Sequence, residues 1–200
     1  MDNKPNTDDT LKEFENVFEI LQKQLLAASV HFRIWEQLWP TEKVVDTINR
    51  YKGFFQPTRD AHLDWLIIKV SDILSNEPNA PSFYRIFKML GRNPNLAPDI
   101  NVREIKKCLR KHKKALEAIK NYRNTRVAHW DTSVKKLNKP VLFGDTKQML
   151  EELKAISNRI SASHSNRIHA FRYIEQADTT SLLEALKRNK LKTRSWHDDS

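Results

Sequence analysis

Apolar residues recur at helical spacing along most of the chain, and this pattern constrains the fold more than any other feature. The first series follows an i, i+3, i+7, i+10, i+14 spacing and consists of Leu11, Phe14, Phe18, Leu21 and Leu25. Residues at these intervals lie on one face of an α-helix, so the series predicts a long amphipathic helix. Acidic residues precede it, and we expect it to end at Trp39 because Pro40 follows.

Similar patterns predict further helices separated by turn residues. Ser82 is expected to cap a short helix that Gly91 closes, and Asp99 or Asn101 to start a central one. The predicted helices after the first cover residues 41–51, 57–74, 82–90, 99–131 and 145–174, with a last short helix that begins at Ser181.

The composition agrees with an all-α protein. Only 3 of 200 residues are glycine and 30% are charged, which is typical of helical chains. The glycines stand far apart, so phosphate-binding loops and dinucleotide folds are excluded. We expect a flexible N-terminus over residues 1–9, one helical domain over 10–177, and a short helix with a basic flexible tail over 178–200.

Other function classes leave no pattern in the sequence. The single cysteine, Cys108, excludes an intrachain disulfide and fits a reducing compartment. The chain has no secretory signal and no apolar stretch near the length of a membrane span, so we expect a cytoplasmic protein that does not contact membranes. The seven histidines show no metal-binding spacing, and we predict neither a metal nor a cofactor.

Positive charge is concentrated in the central helix. The chain has 35 basic and 25 acidic residues, and residues 99–130 contain ten basic residues against three acidic ones. Such a stripe attracts a phosphate backbone, although a solvated helix face explains the charge equally well. The candidate RNA-binding residues are Lys106, Lys107, Arg110, Lys113, Lys114 and Lys120.

The end of this helix carries the residues best suited to chemistry. Arg123 follows Leu116 and Ile119 at helical spacing, so the apolar stripe runs into a guanidinium group, and Arg126 shares its side on an ideal helix. A cation there must be paired or lie beside a solvent-filled cleft. Together with His129, these arginines are suited to binding a phosphodiester and exchanging protons with it.

These residues resemble a known motif. Arg123, Asn124 and, after four intervening residues, His129 look like the Arg-x(4–6)-His motif of the HEPN superfamily. The wider layout, from residue 10 to about 175, resembles the abortive-infection, AbiU-type HEPN-like proteins. In that branch a helix ending near an aspartate, here Asp72, precedes a Ser-Phe segment, here Ser82–Ile86, and then the Arg-Asn…Ala-His-x-Asp ending, here closed by Asp131.

The resemblance implies an antiparallel helical bundle that forms a two-fold homodimer and acts as a metal-independent endoribonuclease. In such an enzyme His129 supports attack of a ribose 2′-OH on phosphorus, Arg123 holds the phosphate, and the product is a 2′,3′-cyclic phosphate. Asn124, Arg126, Asp131 and Asp72 are expected to support them. The implied role is toxin-like or antiviral, the substrate tRNA or mRNA, and a further partner an antitoxin or regulatory protein.

Several alternatives stay open at this level. An ideal helix separates Arg123 and His129 by about 120° around its axis, so either the helix loosens or the two residues act across the dimer. A second match to the bare pattern, Arg159 to His164, has apolar Ile160 where the family has a polar residue. The chain also fits an inactive module that binds RNA or a nucleotide, or a dimeric interaction protein. Trp35, Trp39 and Trp65 are expected in the core.

Overall fold

The computed structural model describes residues 7–127, 141–169, 171 and 178–193, and these residues form helices and no strands. The α-helices among them are α1 (Thr7–Gln37), α2 (Val45–Arg50), α3 (Lys52–Ile73), α4 (Phe83–Arg92), α5 (Val102–Arg110), α6 (Lys113–Tyr122), α7 (Phe143–Ser165) and α8 (Thr180–Thr193). A 3₁₀ turn covers Pro94–Leu96, and a π-helical segment covers Arg123–Val127. The predicted all-α fold is confirmed.

The core forms where α1 packs along α3 and the later helices close over the pair. His31 of α1 lies beside His62 of α3, and Trp39 beside Arg59, so the two helices run antiparallel. The α1 residues of the predicted apolar series are buried, apart from Leu11 at the edge. Full burial of each Leu or Phe side chain contributes about 1.5–3 kcal/mol relative to exposure.

Two predicted helix starts are confirmed by their hydrogen bonds. The Ser82 hydroxyl accepts from the backbone N–H of Arg85 at 3.3 Å. The side-chain oxygen of Asn101 accepts from the N–H groups of Arg103 and Glu104 at 3.0 and 3.3 Å. Each cap pairs backbone donors that the first helical turn leaves free.

Several predicted boundaries are wrong. Gly91 lies inside α4, and it does not adopt a positive φ. Helix α3 begins at Lys52 and includes Pro57. The helix tolerates this proline because the carbonyl that its ring crowds, that of Gly53 four residues earlier, lies in the first turn. Helix α7 ends at Ser165, where Asn166 takes a left-handed conformation with φ 54°.

The central basic helix is also divided. It breaks at Lys111 and His112 into α5 and α6, although the sequence there contains neither proline nor glycine. Leu109 and Ala115 on either side of the break are both buried. Packing of two separate short helices on the core therefore replaces the predicted straight helix.

The tryptophan prediction is correct at one position and wrong at two. Trp35 is buried, whereas Trp39 and Trp65 are each 50% exposed. Cations cover part of both exposed rings: the Arg59 guanidinium lies 5.7 Å from the Trp39 ring and the Lys69 ammonium 5.5 Å from that of Trp65. Their exposure follows from their position on the outer side of the α1–α3 pair.

Helix α8 is attached to the rest of the protein by a second, smaller cluster. Leu183 is buried there with Leu38, Ile48 and Phe55. Gln37 at the end of α1 accepts from the backbone N–H of Thr179 at 2.8 Å. The domain boundary at residue 177 remains a prediction. In the part of the chain described, no helix is both long and apolar enough to cross a membrane.

Candidate nucleic-acid interface

A polar cleft of about 440 Å³ lies between the end of α3 and one side of α6. We call it the basic cleft; its lining includes Ser71, Ser75, Asn76, Glu77, Tyr84, Lys113, Leu116, Glu117, Lys120, Arg123 and Asn124. Hydroxyl and amide groups and Glu77 come from the α3 side, and three cations come from α6 and Arg123 after it. Glu117 of α6 also lines the cleft and lies 3.9 Å from the Lys113 ammonium. This combination suits a ligand that carries phosphates and sugar hydroxyls.

Helical spacing explains why the cations share the cleft. Lys113, Leu116, Lys120 and Arg123 follow one another at intervals of three, four and three residues, which places them along one face of α6. Arg123 is exposed at the end of this face. The Arg123 guanidinium, which interrupts the apolar stripe, therefore borders an open cleft. A cation on an apolar face is stable when it is paired or when it lies beside solvent, and Arg123 has the second arrangement.

The six predicted RNA-binding cations do not form one surface. Lys113 and Lys120 line the basic cleft, and Lys106, Arg110 and again Lys113 line an adjoining depression. Lys114 borders a different pocket, on the side of α6 that faces α7. Lys107 is exposed and lines none of these pockets.

The C-terminal end of α6 is fastened to α3 just before the motif begins. The Tyr122 side chain is 4% exposed, and its hydroxyl donates to the Asp64 carboxylate at 3.1 Å. Sequence reasoning chose Asp72 as the α3 carboxylate near the motif. Asp72 is half-buried, does not line the basic cleft, and makes no side-chain hydrogen bond or ion pair with another described residue. Its supporting role remains a prediction, whereas the Asp64 contact is observed.

The backbone widens where the motif begins. Arg123–Val127 is π-helical, a wider turn than that of an α-helix, so the ideal α-helical angles no longer apply there. A departure from the ideal α-helix, one of the two alternatives left open above, is therefore observed over Arg123–Val127. The ideal spacing no longer shows that Arg126 shares the side of Arg123. The Arg126 side chain, His129 and Asp131 lie outside the described residues, so their predicted roles are untested.

The second Arg…His pair has a structural explanation. Ile160 is fully buried, and His164 donates from Nδ1 to the Leu96 carbonyl at 2.7 Å. The His164 ring also packs on Phe14. His164 therefore connects α7 to the 3₁₀ turn and to α1.

A histidine pair lies elsewhere, between α1 and α3. The Nδ1 atoms of His31 and His62 are 2.8 Å apart, so one ring donates to the other. Burial lowers the pKa of both rings, and the neighbouring His62 and Lys69 lower the pKa of His31 further. Over the ranges 7–127, 141–169 and 178–193, no group of three or more metal-ligating side chains is placed to hold a metal.

Sequence reasoning missed several residues of the interface. Ser71, Ser75 and Asn76 end α3 or follow it, and Tyr84 belongs to α4. They are separated from Arg123 by about forty to fifty residues of chain, so no local pattern links them to the motif. Only the packing of α3 and α4 against α6 brings these side chains to one cleft.

Comparison with known proteins identifies the family of the chain. Residues 11–180 match the family HEPN_AbiU2, described as AbiU2. Neither the curated proteins nor the solved structures contain a significant match. Since the match covers most of the chain, this protein belongs to the AbiU2 family of HEPN proteins, a family related to abortive infection.

Proposed function

We propose that the protein is an endoribonuclease that cleaves RNA at Arg123 and His129 without a metal ion. The observation that supports this most is the position of Arg123 and Asn124, the first residues of the motif, in a polar cleft whose lining has three cations and two carboxylates. Lys113 and Lys120 attract the RNA backbone, and Arg123 binds the phosphate to be cut. Within an abortive-infection setting, the substrate is tRNA or mRNA.

The proposed reaction is an internal transfer at phosphorus. The 2′-oxygen loses its proton and bonds to the adjacent phosphorus, while the bond to the 5′-oxygen breaks and that oxygen gains a proton. His129 moves or orients these protons, and Arg123 offsets the negative charge that builds on the non-bridging oxygens. The products are a 2′,3′-cyclic phosphate and a 5′-hydroxyl. Asn124, at the cleft beside Arg123, orients the phosphate.

Lys120 and Arg123 supply positive charge to the basic cleft beside the first residues of the motif. A phosphate bound there is attracted by both side chains. Substitution of Arg123 by Ala should therefore weaken both phosphate binding and the chemical step, the latter by about 10²–10³-fold.

The test compares purified wild-type protein with the His129→Ala variant on tRNA and mRNA in EDTA, followed by analysis of the cut ends. Cyclic-phosphate ends from the wild type, absent or reduced by about 10²–10⁴-fold in the variant, are expected if His129 transfers protons. Cleavage by the variant at the wild-type rate would show that the assigned mechanism is wrong.

We further propose that the active form is a two-fold dimer in which the two motifs face each other. Mixing Arg123→Ala with His129→Ala protein tests whether the site is shared. A site made from both chains is restored in the mixed dimer, and random mixing returns about a quarter of the wild-type sites. A site within one chain stays inactive in every combination.

An RNA-binding module without cleavage is the second candidate. The cations that line the basic cleft favour it, because they bind RNA whether or not the chemical step occurs. Salt-sensitive RNA binding together with intact RNA in EDTA would identify this alternative.

A further inference from the structure

A second depression, of about 340 Å³, adjoins the basic cleft and is lined differently. Its apolar residues are Tyr84, Leu109 and Leu116, and its other residues are the cations Lys106, Arg110 and Lys113. It shares Tyr84, Lys113 and Leu116 with the basic cleft, so the two form one continuous surface. We call this second region the apolar depression.

The lining residues come from both sides of the break between α5 and α6. Lys106, Leu109 and Arg110 lie on the last two turns of α5, and Lys113 and Leu116 lie at the start of α6. Tyr84 faces them from α4, where its ring packs edge-on against Phe87 with centroids 6.2 Å apart. The tyrosine is therefore fixed by the core on one side and accessible from the depression on the other.

The chemistry of this lining matches one nucleotide with its flanking phosphates. An aromatic ring among leucines accepts the flat face of a base without hydrogen-bond readout, and base–aromatic stacking occurs with every base type. Three cations beside this apolar surface meet the phosphates on either side of the base. An acidic protein segment would use the cations but would leave the tyrosine and leucine surface unmatched.

The separation from Arg123 sets the position of this nucleotide. Leu116 and Arg123 are seven residues apart on the axis of α6, or about 10 Å at 1.5 Å per residue. One nucleotide rises only about 3.4 Å along the axis of a duplex, so this separation is longer than the rise of one nucleotide. A base in the apolar depression therefore belongs to a different nucleotide from the one whose phosphate is held at Arg123.

We propose that the apolar depression is a base-binding subsite that holds an unpaired nucleotide of the RNA against Tyr84. A paired base lies inside a duplex and cannot present its face to the tyrosine, so the subsite selects single-stranded segments. The inference rests on the proposed function for the identity of the nucleic acid. It adds Tyr84 to the residues that bind RNA. It also adds a requirement for an unpaired nucleotide, which the Arg…His motif does not imply.

The experiment measures binding in the non-cleaving His129→Ala protein with labelled single-stranded oligonucleotides, by fluorescence anisotropy. One oligonucleotide carries normal bases, and its partner of equal length has abasic positions, so their phosphate charges are equal. We expect the normal one to bind at least about fivefold more tightly, the lower end of the effect of one stacked base. The Tyr84→Leu variant should lose this preference, and Tyr84→Phe, which keeps the ring, should retain it.

A matched pair of double variants tests the cations. Lys106→Glu with Arg110→Glu reverses two charges at the depression, and Lys107→Glu with Lys114→Glu reverses two charges outside it. For single strands, removal of one cation–phosphate interaction makes the slope of log affinity against log salt shallower by about 0.7. We expect the slope to become shallower by about 1.4 in the first double variant and by much less in the second. Circular dichroism confirms that each variant is folded.

The proposal is overturned if Tyr84→Leu binds normal and abasic strands with the wild-type ratio, or if a poly-glutamate chain competes as well as RNA does. Equal effects of the two charge pairs would also overturn it, because binding would then follow net charge alone. These outcomes are independent of cleavage. If the wild type cleaves RNA and Tyr84→Leu has no effect on binding, the base-binding subsite is refuted and the ribonuclease proposal stands. If binding depends on Tyr84 but the wild type does not cleave RNA, the ribonuclease proposal is refuted and the subsite stands.

Discussion

The hydrogen bond between Tyr122 and Asp64 gives a prediction that links stability to the position of the motif. The Tyr122→Phe variant keeps the ring, which is 4% exposed, and removes only the hydroxyl that donates to the carboxylate at 3.1 Å. Hydrogen bonds to charged groups contribute about 1.5–3 kcal/mol, and Asp64 is half-buried, so we expect a loss of about 1–2 kcal/mol in the free energy of unfolding.

Urea unfolding, followed by circular dichroism at fixed protein concentration, measures this loss. With a slope of about 2 kcal/mol per molar urea, the midpoint should fall by about 0.5–1 M while the slope is unchanged. The control is Tyr51→Phe, which removes the hydroxyl of a half-buried tyrosine that has no side-chain hydrogen bond to a described residue. That variant should change stability by no more than about 0.5 kcal/mol.

The same substitution should affect function, because Tyr122 directly precedes Arg123. Release of the α6 end from α3 should lower the cleavage rate, whereas Tyr51→Phe should not. A coupling energy between Tyr122→Phe and Asp64→Ala of at least about 0.5 kcal/mol would assign the effect to this contact. Equal stability of Tyr122→Phe and wild type would refute the reasoning that this bond anchors the end of α6.

Two further predictions concern stability alone. Asn101→Ala should lower the free energy of unfolding by about 1 kcal/mol because it removes the cap of α5. The control Asn95→Ala, at an exposed turn position, should leave the free energy of unfolding nearly unchanged. Urea titration of the two variants measures the difference. Burial lowers the pKa of His31 and His62, so the unfolded chain binds more protons and stability should fall as pH drops through about 6.5. A His31→Gln/His62→Gln variant should lose less stability than the wild type between about pH 7.5 and 5.5 in thermal melts; an equal loss would contradict this assignment.

The parts of the fold that depend on local rules could be predicted from the sequence. The apolar face of α1, the caps at Ser82 and Asn101, and the stripe of α7 each arise from residues within a few positions of one another. The break at Lys111 and His112 could not, because no residue there disfavours a helix strongly. It depends on how α5 and α6 pack separately on the core, which is a property of distant residues.

The candidate site divides in the same way. Arg123 and Asn124 could be found because the motif is continuous in sequence and the charge of the surrounding helix is uneven. The sequence did not show which cations share a surface, since Lys106 and Lys107 look equivalent until α5 is placed against α4. Tyr84 and the serines at the end of α3 become site residues only through packing.

One comparison of cleavage rates tests whether RNA is cut at the motif that begins at Arg123. Wild type, Arg123→Ala and Arg159→Ala are incubated with the same RNA in EDTA, together with an RNA that has a 2′-deoxy sugar at the mapped cut. Arg159→Ala changes the exposed arginine of the other Arg…His pair. We expect that variant to cut at the wild-type rate, Arg123→Ala to lose about 10²–10³-fold, and the 2′-deoxy site to stay intact. Equal loss in both arginine variants, or cleavage at the 2′-deoxy site, would contradict the account.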